Sequence, residues 1–126
     1  ITEANRLVME QKAEFRIQSP LIKKSKLIGK VGVGKGSKIF NSVIEGPVLI
    51  GDNVEIAKSY IGPYTSIYHN CIIKEAKIEN SVIMEGTRIE KIKKRIDQSF
   101  IGKEVTIIGK NGNHRLIISD LSEVHL

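Results

Sequence analysis

Apolar, mostly β-branched residues recur along this chain every 17 positions, and that recurrence narrows the possible folds more than any other feature. Ile22, Ile39, Ile56 and Ile73 form one column at this spacing, and Leu27, Ile44, Ile61 and Ile78 form a second. Val33, Ile50 and Ile67 form a third. Read in chain order, the steps between these residues run 5, 6, 6 and then repeat. Past Ile78 the rhythm goes on with slips through Ile83, Ile89, Ile96, Ile101 and Ile107. Such steps describe a coil with three sides, and the run is long enough for about five turns. Strands of an antiparallel sandwich would alternate with period 2 between turn signals spaced by about 8 to 12 residues, and have no reason to produce this rhythm.

The steps have an internal grammar. Five-residue steps read Ile-x-x-Ser-x-Ile at Ile39–Ile44, Ile56–Ile61, Ile78–Ile83 and Ile96–Ile101. Six-residue steps often open with an apolar residue and glycine, as at Val33-Gly34, Ile50-Gly51, Ile61-Gly62 and Ile101-Gly102. They place Ser37, Val54, Thr65 or Val105 four positions after the anchor. In a triangular coil the anchor fills the narrow interior, the small residue sits near a corner, and glycine is expected to let the backbone turn. Rungs stack about 4.8 Å apart, so five of them make a prism roughly 24 Å long. One coil cannot bury its own interior residues; stacked neighbours do so.

Composition agrees with a parallel β-coil and excludes several functions. The apolar share is 40%, with only three Phe, three Tyr and no Trp, so Ile, Val and Leu must supply the core. A chain of 126 residues is one domain's worth. The single cysteine, Cys71, allows no internal disulfide and points to a reducing, cytoplasmic setting; it occupies a small-residue slot and is expected to be an inert packed thiol. No run approaches the roughly 18 apolar residues of a membrane span. The net charge of +6 gathers at Lys23, Lys24, Lys26, Lys30, Lys35 and Lys38, and again at Lys91, Lys93, Lys94 and Arg95. No base-stacking aromatics are interleaved with these lysines, so a solvated basic surface is expected rather than a nucleic-acid partner. Abundant Lys and Glu with little Gln suits a thermophile.

Both ends depart from the coil. Thr2 is placed to cap a helix through about Phe15, with Ala4, Leu7, Val8 and Phe15 on one face. This opening, ITEANRLVMEQ, reads as a helix entered part-way, so the chain is expected to be a segment of a longer protein. At the other end Asn111-Gly112 is a turn signal and Leu116-Ile117-Ile118 a short strand, a tail suited to covering the open end of the prism. The expected division is a linker helix over 1–18, a β-helix over 19–110 and a capping tail over 111–126.

The repeat resembles that of the hexapeptide-repeat, left-handed β-helix proteins. Left-handedness is implied by that resemblance, since parallel crossovers are generally right-handed. ANRLVME at 4–10, NSVIEGPVLIGDN at 41–53, SYIGPYTSI at 59–67, IENSVIMEGTRIE at 78–90, SFIGKEVTI at 99–107 and RLIISDLSEV at 115–124 together resemble the C-terminal domain of long-form glucose-1-phosphate thymidylyltransferases. The resemblance implies an all-β, left-handed parallel β-helix of about five triangular coils, flanked by the linker helix and the tail. It also implies a parent that joins a sugar 1-phosphate to a nucleoside triphosphate, making a nucleoside-diphosphate sugar such as dTDP-glucose and releasing pyrophosphate. The Mg²⁺ and the Gly-rich loop of that chemistry belong to the parent's N-terminal catalytic domain. Its G-x-G-T-R-L signature does not occur in this sequence. VGVGKGSK at 31–38 is the nearest imitation, and its glycines fall where coil corners need them. The segment itself is therefore expected to hold no catalytic, cofactor or metal residues. Its expected partners are that catalytic domain and further copies of itself, as a trimer about the prism axis, with Ile28, Val43, Tyr60, Val82 and Phe100 facing outward.

The alternative is a hexapeptide-repeat acetyltransferase that moves an acetyl group from acetyl-CoA to an amino-sugar phosphate. Such enzymes use a histidine as general base. His69 in IYHNCI is the only histidine within the coil, at a position where the family more often shows glycine after the isoleucine; Tyr68 marks the departure. The basic excursion at 90–95 offers a place for a phosphate, although a solvent-facing charge run needs no function. A zinc site of three histidines is excluded by the spacing of His69, His114 and His125.

Overall fold

In the computed structural model the described residues are 15–110 and 113–118, with Lys110 and 113–118 described as backbone only. The first turn is built from β1 (Ile22–Lys23), β2 (Lys26–Ile28) and β3 (Val31–Val33). The second holds β4 (Lys38–Phe40), β5 (Val43–Glu45) and β6 (Val48–Ile50), and the third β7 (Glu55–Ala57), β8 (Tyr60–Ile61) and β9 (Thr65–Ile67). The fourth holds β10 (Ile72–Lys74), β11 (Lys77–Glu79) and β12 (Val82–Ile83). The fifth holds β13 (Arg88–Glu90), β14 (Ile96–Asp97) and β15 (Phe100–Ile101). Two longer strands follow, β16 (Val105–Lys110) and β17 (Asn113–Ile118).

Each strand pairs in parallel with the equivalent strand one turn on, and three sheets result. Sheet 1 runs β1-β4-β7-β10-β13-β16-β17, sheet 2 runs β2-β5-β8-β11-β14 and sheet 3 runs β3-β6-β9-β12-β15. This all-β solenoid of about five turns matches a left-handed β-helix. The registers reproduce the columns read from the sequence. Ile22, Ile39, Ile56, Ile73, Ile89 and Ile107 pair in succession on sheet 1. Leu27, Ile44, Ile61, Ile78 and Ile96 do so on sheet 2. Val33, Ile50, Ile67, Ile83 and Ile101 complete sheet 3. The inward anchor is the central or last residue of most short strands and the first in β1 and β14, and the anchors from Ile39 to Ile107 are buried in one continuous core. Burying an isoleucine contributes about 1.5–3 kcal/mol, so the stacked columns supply most of the hydrophobic stabilisation.

The slips past Ile78 are changes of side length that leave the register intact. The fourth turn takes five residues from Ile78 to Ile83 where the third takes six from Ile61 to Ile67, yet Ile83 still pairs with Ile67. The fifth takes seven from Ile89 to Ile96, yet Ile96 still pairs with Ile78. The extra length leaves the coil as the basic excursion at 91–95.

Three corner columns close the triangle, and here the expectation about glycine needs correction. The backbone turns by one left-handed residue at each corner of the five turns except that at Gly46-Pro47, between β5 and β6, where the peptide bond is cis. Between sheets 1 and 2 these are Lys24, Asn41, Lys58, Glu75 and Lys91; between sheets 3 and 1 they are Gly36, Asn53, Asn70, Gly86 and Glu104. Asn and Gly suit this conformation, while Lys and Glu hold it at some cost because the surrounding rungs determine it. Gly34 and Gly51 follow their anchors without positive φ. A Cβ on Gly34 would lie 2.5 Å from the Gly51 carbonyl carbon, and one on Gly51 would lie 2.6 Å from His69 Nδ1. They are small because adjacent rungs nearly touch there.

At the start, the expected helix falls on residues outside those described except for its end. Residues 15–18 are not helical, and the Val33 N–H donates to Arg16 O at 2.8 Å while the Gln18 N–H donates to Val33 O at 2.8 Å. Pairing with the coil thus begins inside the stretch expected to be linker. At the far end, β17 includes the expected strand at 116–118 and pairs antiparallel with β16, from Val105 opposite Ile118 to Lys110 opposite Asn113. It extends the edge of sheet 1. Among the residues expected to face outward, Ile28 is 48% exposed and Val43, Tyr60 and Phe100 are partly exposed. Val82 is only 7% exposed, so it is not an open surface residue.

Candidate functional site

Two corners gather the polar chemistry of the coil. Between sheets 3 and 1 lie VGVGKGSK, His69 and Cys71. Gly34 N–H donates to Ile50 O at 2.9 Å and Lys35 N–H to Asp52 Oδ1 at 2.9 Å. Ser37 Oγ donates to Gly51 O at 2.6 Å and accepts from Val54 N–H at 3.0 Å. Groups that a phosphate loop would present to a ligand are spent here on the next rung. One turn further, Asp52 N–H donates to His69 Nδ1 at 2.8 Å. A neutral imidazole that accepts through Nδ1 carries its proton on Nε2, so neither nitrogen offers a substrate a lone pair. Cys71 is fully buried, and its thiol donates to Met84 O at 3.1 Å. Burial pushes that thiol up to about 11, against the lowering effect of backbone hydrogen bonding at Thr87 and Gly86. A protonated, enclosed thiol is no nucleophile.

The corner between sheets 1 and 2 is open instead. A cleft of about 1090 Å³ runs along it, with the partly exposed Val43 and Tyr60 supplying apolar surface above the buried Ala76 and Ile92. Lys58, Lys77, Lys91 and Lys93 and the carboxylate of Glu75 line it as well. Below the floor a ladder of hydroxyls ties the rungs: Ser42 N–H donates to Ser25 Oγ, Ser59 N–H to Ser42 Oγ and Ala76 N–H to Ser59 Oγ, at 3.1–3.2 Å. Each of Ser42 and Ser59 donates in turn to the carbonyl two residues back.

Beside the cleft, side chains from four turns join on the face of sheet 2. Tyr60 OH donates to Glu45 Oε1 at 2.8 Å, and Arg95 Nη1 bonds Glu79 Oε1 at 2.8 Å. The Arg95 guanidinium lies 5.9 Å from the centroid of the Tyr60 ring, within cation–π range. Burial raises the Tyr60 phenol above its ordinary pKa, helped by its bond to Glu45 and by the charges of Glu45 and Glu79, with Arg95 opposing. The group pins the 91–95 excursion to the coil. Among the described residues no cluster of three or more His, Cys, Asp or Glu is arranged to hold a metal ion. No helix among them is long and apolar enough to cross a membrane.

A family model described as the GMPPB C-terminal domain matches residues 44–115, more than half of the chain. The chain belongs to that family. Glucose-1-phosphate thymidylyltransferases of Streptomyces antibioticus and Streptomyces griseus are 37% and 33% identical to it, each over 98% of this chain. A glucose-1-phosphate adenylyltransferase of Desulforamulus reducens is 39% identical over 65% of this chain, which is 21% of that relative. The chain spans 35% of the length of each thymidylyltransferase. No solved structure gives a significant match.

Within this family domain the residues singled out from sequence fall apart spatially. His69 belongs to the corner between sheets 3 and 1, and the 90–95 excursion to the corner between sheets 1 and 2. The cleft itself escaped the sequence reading. Lys58 and Glu75 stand apart in the sequence from the basic run at 91–95, and only their spacings of 17 and 16 to the next turn put them in one corner column with Lys91.

Proposed function

We propose that this chain is the C-terminal β-helix domain of a sugar-1-phosphate nucleotidyltransferase. The parent forms a nucleoside-diphosphate sugar, dTDP-glucose in the first instance, with release of pyrophosphate. The observation that carries this reading is the pair of thymidylyltransferases aligned with 98% of the chain. Nucleotidyl transfer, with its Mg²⁺, takes place in a separate catalytic domain of the parent, and this domain holds the assembly together. The reading includes a trimer about the prism axis and a cytoplasmic setting. A surface of paired Lys, Arg and Glu, such as Lys74–Glu55 and Lys103–Glu85, fits a source that grows hot. The acetyltransferase alternative has less support, because His69 Nδ1 is already engaged by Asp52.

The test is pyrophosphate release from glucose 1-phosphate and dTTP, measured on the full-length parent and on this segment. Acetyl-CoA-dependent thiol release with an amino-sugar phosphate runs in parallel. Activity in the parent alone, with a trimeric segment by sedimentation, supports the scaffold role. Thiol release by the segment that His69→Ala abolishes would replace it with the acetyltransferase.

A further inference from the structure

The cleft between sheets 1 and 2 has the features of a ligand site that the scaffold role leaves unused. Its volume of about 1090 Å³, slightly above the usual range for small-molecule sites, leaves room for a small molecule. Lys58, Lys77, Lys91 and Lys93 face the single carboxylate of Glu75, which leaves an excess of three positive charges. Four other basic residues of the coil are ion-paired, Lys74 with Glu55, Arg88 with Glu90, Arg95 with Glu79 and Lys103 with Glu85. Lys23, Lys24, Lys26, Lys30, Lys35, Lys38 and Lys94 are unpaired among the described residues; what sets the cleft lysines apart is that they line one concavity. None of the four cleft lysines has an ion-pair partner among the described residues.

Two further observations distinguish the cleft from a solvated basic surface. Lys91 and Lys93 sit on the seven-residue step from Ile89 to Ile96, two residues longer than the step from Ile73 to Ile78 directly beneath it. That excursion is held down at Ile92, which is buried, and at Arg95 through Glu79 and Tyr60. Its lysines are therefore presented at fixed places on the rim. The lining is also mixed in a way phosphate alone does not require, since the partly exposed Val43 and Tyr60 offer an apolar surface and Glu75 an acceptor for hydroxyls.

We propose that this cleft binds a small phosphorylated sugar. Lys77, Lys91 and Lys93 take the phosphate by charge-assisted hydrogen bonds, Glu75 accepts from a sugar hydroxyl, and the apolar surface of Val43 and Tyr60 receives a face of the ring. The proposal concerns binding to this domain alone and does not depend on which reaction the parent performs.

Calorimetric titration of the 126-residue chain with glucose 1-phosphate, inorganic phosphate and a single-stranded oligonucleotide tests it. Glucose 1-phosphate should bind more tightly than inorganic phosphate. Lys77→Glu and Lys93→Glu should each weaken it by about tenfold or more, the loss of one hydrogen bond to a charged group. Lys38→Glu removes the same charge from sheet 1 and should leave binding unchanged. Glu75→Ala should reduce affinity for glucose 1-phosphate to that for inorganic phosphate. If either glutamate variant fails to fold by circular dichroism, Lys77→Gln and Lys93→Gln carry the same expectation. Absence of binding at millimolar glucose 1-phosphate would overturn the proposal, as would equal weakening by Lys38→Glu. Tighter binding of the oligonucleotide than of the sugar phosphate would overturn it in favour of nucleic acid.

Discussion

Thr65→Val should stabilise this protein, although it removes a hydroxyl from the core. Thr65 is fully buried, and its Oγ1 has no hydrogen-bond partner among the described residues. The cause lies in the change of side length between the third and fourth turns. In six-residue steps the equivalent hydroxyls reach the carbonyl just after the anchor on the next rung, as Ser37 reaches Gly51 O and Thr87 reaches Gly102 O. For Thr65 that carbonyl belongs to Glu79, and Ser81 Oγ of the shortened fourth-turn side already donates to it at 2.8 Å. A buried hydroxyl without a partner costs about 1–3 kcal/mol, and an added buried methyl contributes about 0.8 kcal/mol. Valine already occupies the matching slot one rung earlier, where Val48 pairs with Thr65 and is fully buried, so the slot shape needs no adjustment. The expected gain is about 2 kcal/mol, which raises the urea midpoint by roughly 1 M at an ordinary m-value. Urea unfolding followed by far-UV circular dichroism measures it, and an unchanged m-value shows that the unfolded state is not responsible. A midpoint that falls would refute the reasoning, because it would mean that the hydroxyl makes a bond worth more than its desolvation.

Ser59→Ala is the opposite case: it strips the acceptor from the buried Ala76 N–H and should lower stability by about 1–3 kcal/mol in the same assay. Gly34→Ala should destabilise by about 2 kcal/mol or more, because its Cβ would press on the Gly51 backbone and force adjacent rungs apart. An unchanged melting temperature for that variant would contradict the close-approach reading. Cys71 makes stability depend on alkaline pH. Its thiol is raised by burial from 9.0 to about 11, so the folded state favours the protonated form. That contribution is fully present below pH 9 and lost as pH rises to about 11, amounting to about 3 kcal/mol. Comparing urea midpoints at the two ends of this window for the native chain and for Cys71→Ala isolates it, and an equal alkaline loss in both would disprove it.

The coil itself was legible in the sequence because each interior column is a direct consequence of spacing. A three-sided rung with steps of 5, 6 and 6 must place Ile39, Ile56 and Ile73 on top of one another, whatever the side chains around them do. The small corner residues were legible for the same reason, and Ser59 and Cys71 lie buried where the steps put them. Spacing also survived the slips, since Ile83, Ile89, Ile96, Ile101 and Ile107 all found their partners on the preceding rung. What spacing does not encode is the direction in which a corner residue points or what it meets one rung away. Only the stacked structure shows that Gly34 is small because of Gly51, or that His69 is occupied by the Asp52 amide. The cleft has the same origin. Lys58, Lys77, Lys91 and Lys93 are spread over 36 positions of chain, and they share one concave surface because stacking sets residues about one rung apart within roughly 5 Å. The sequence alone determined the frame through a period. The tertiary structure decided the site, because contacts between neighbouring rungs arise only once the frame has closed.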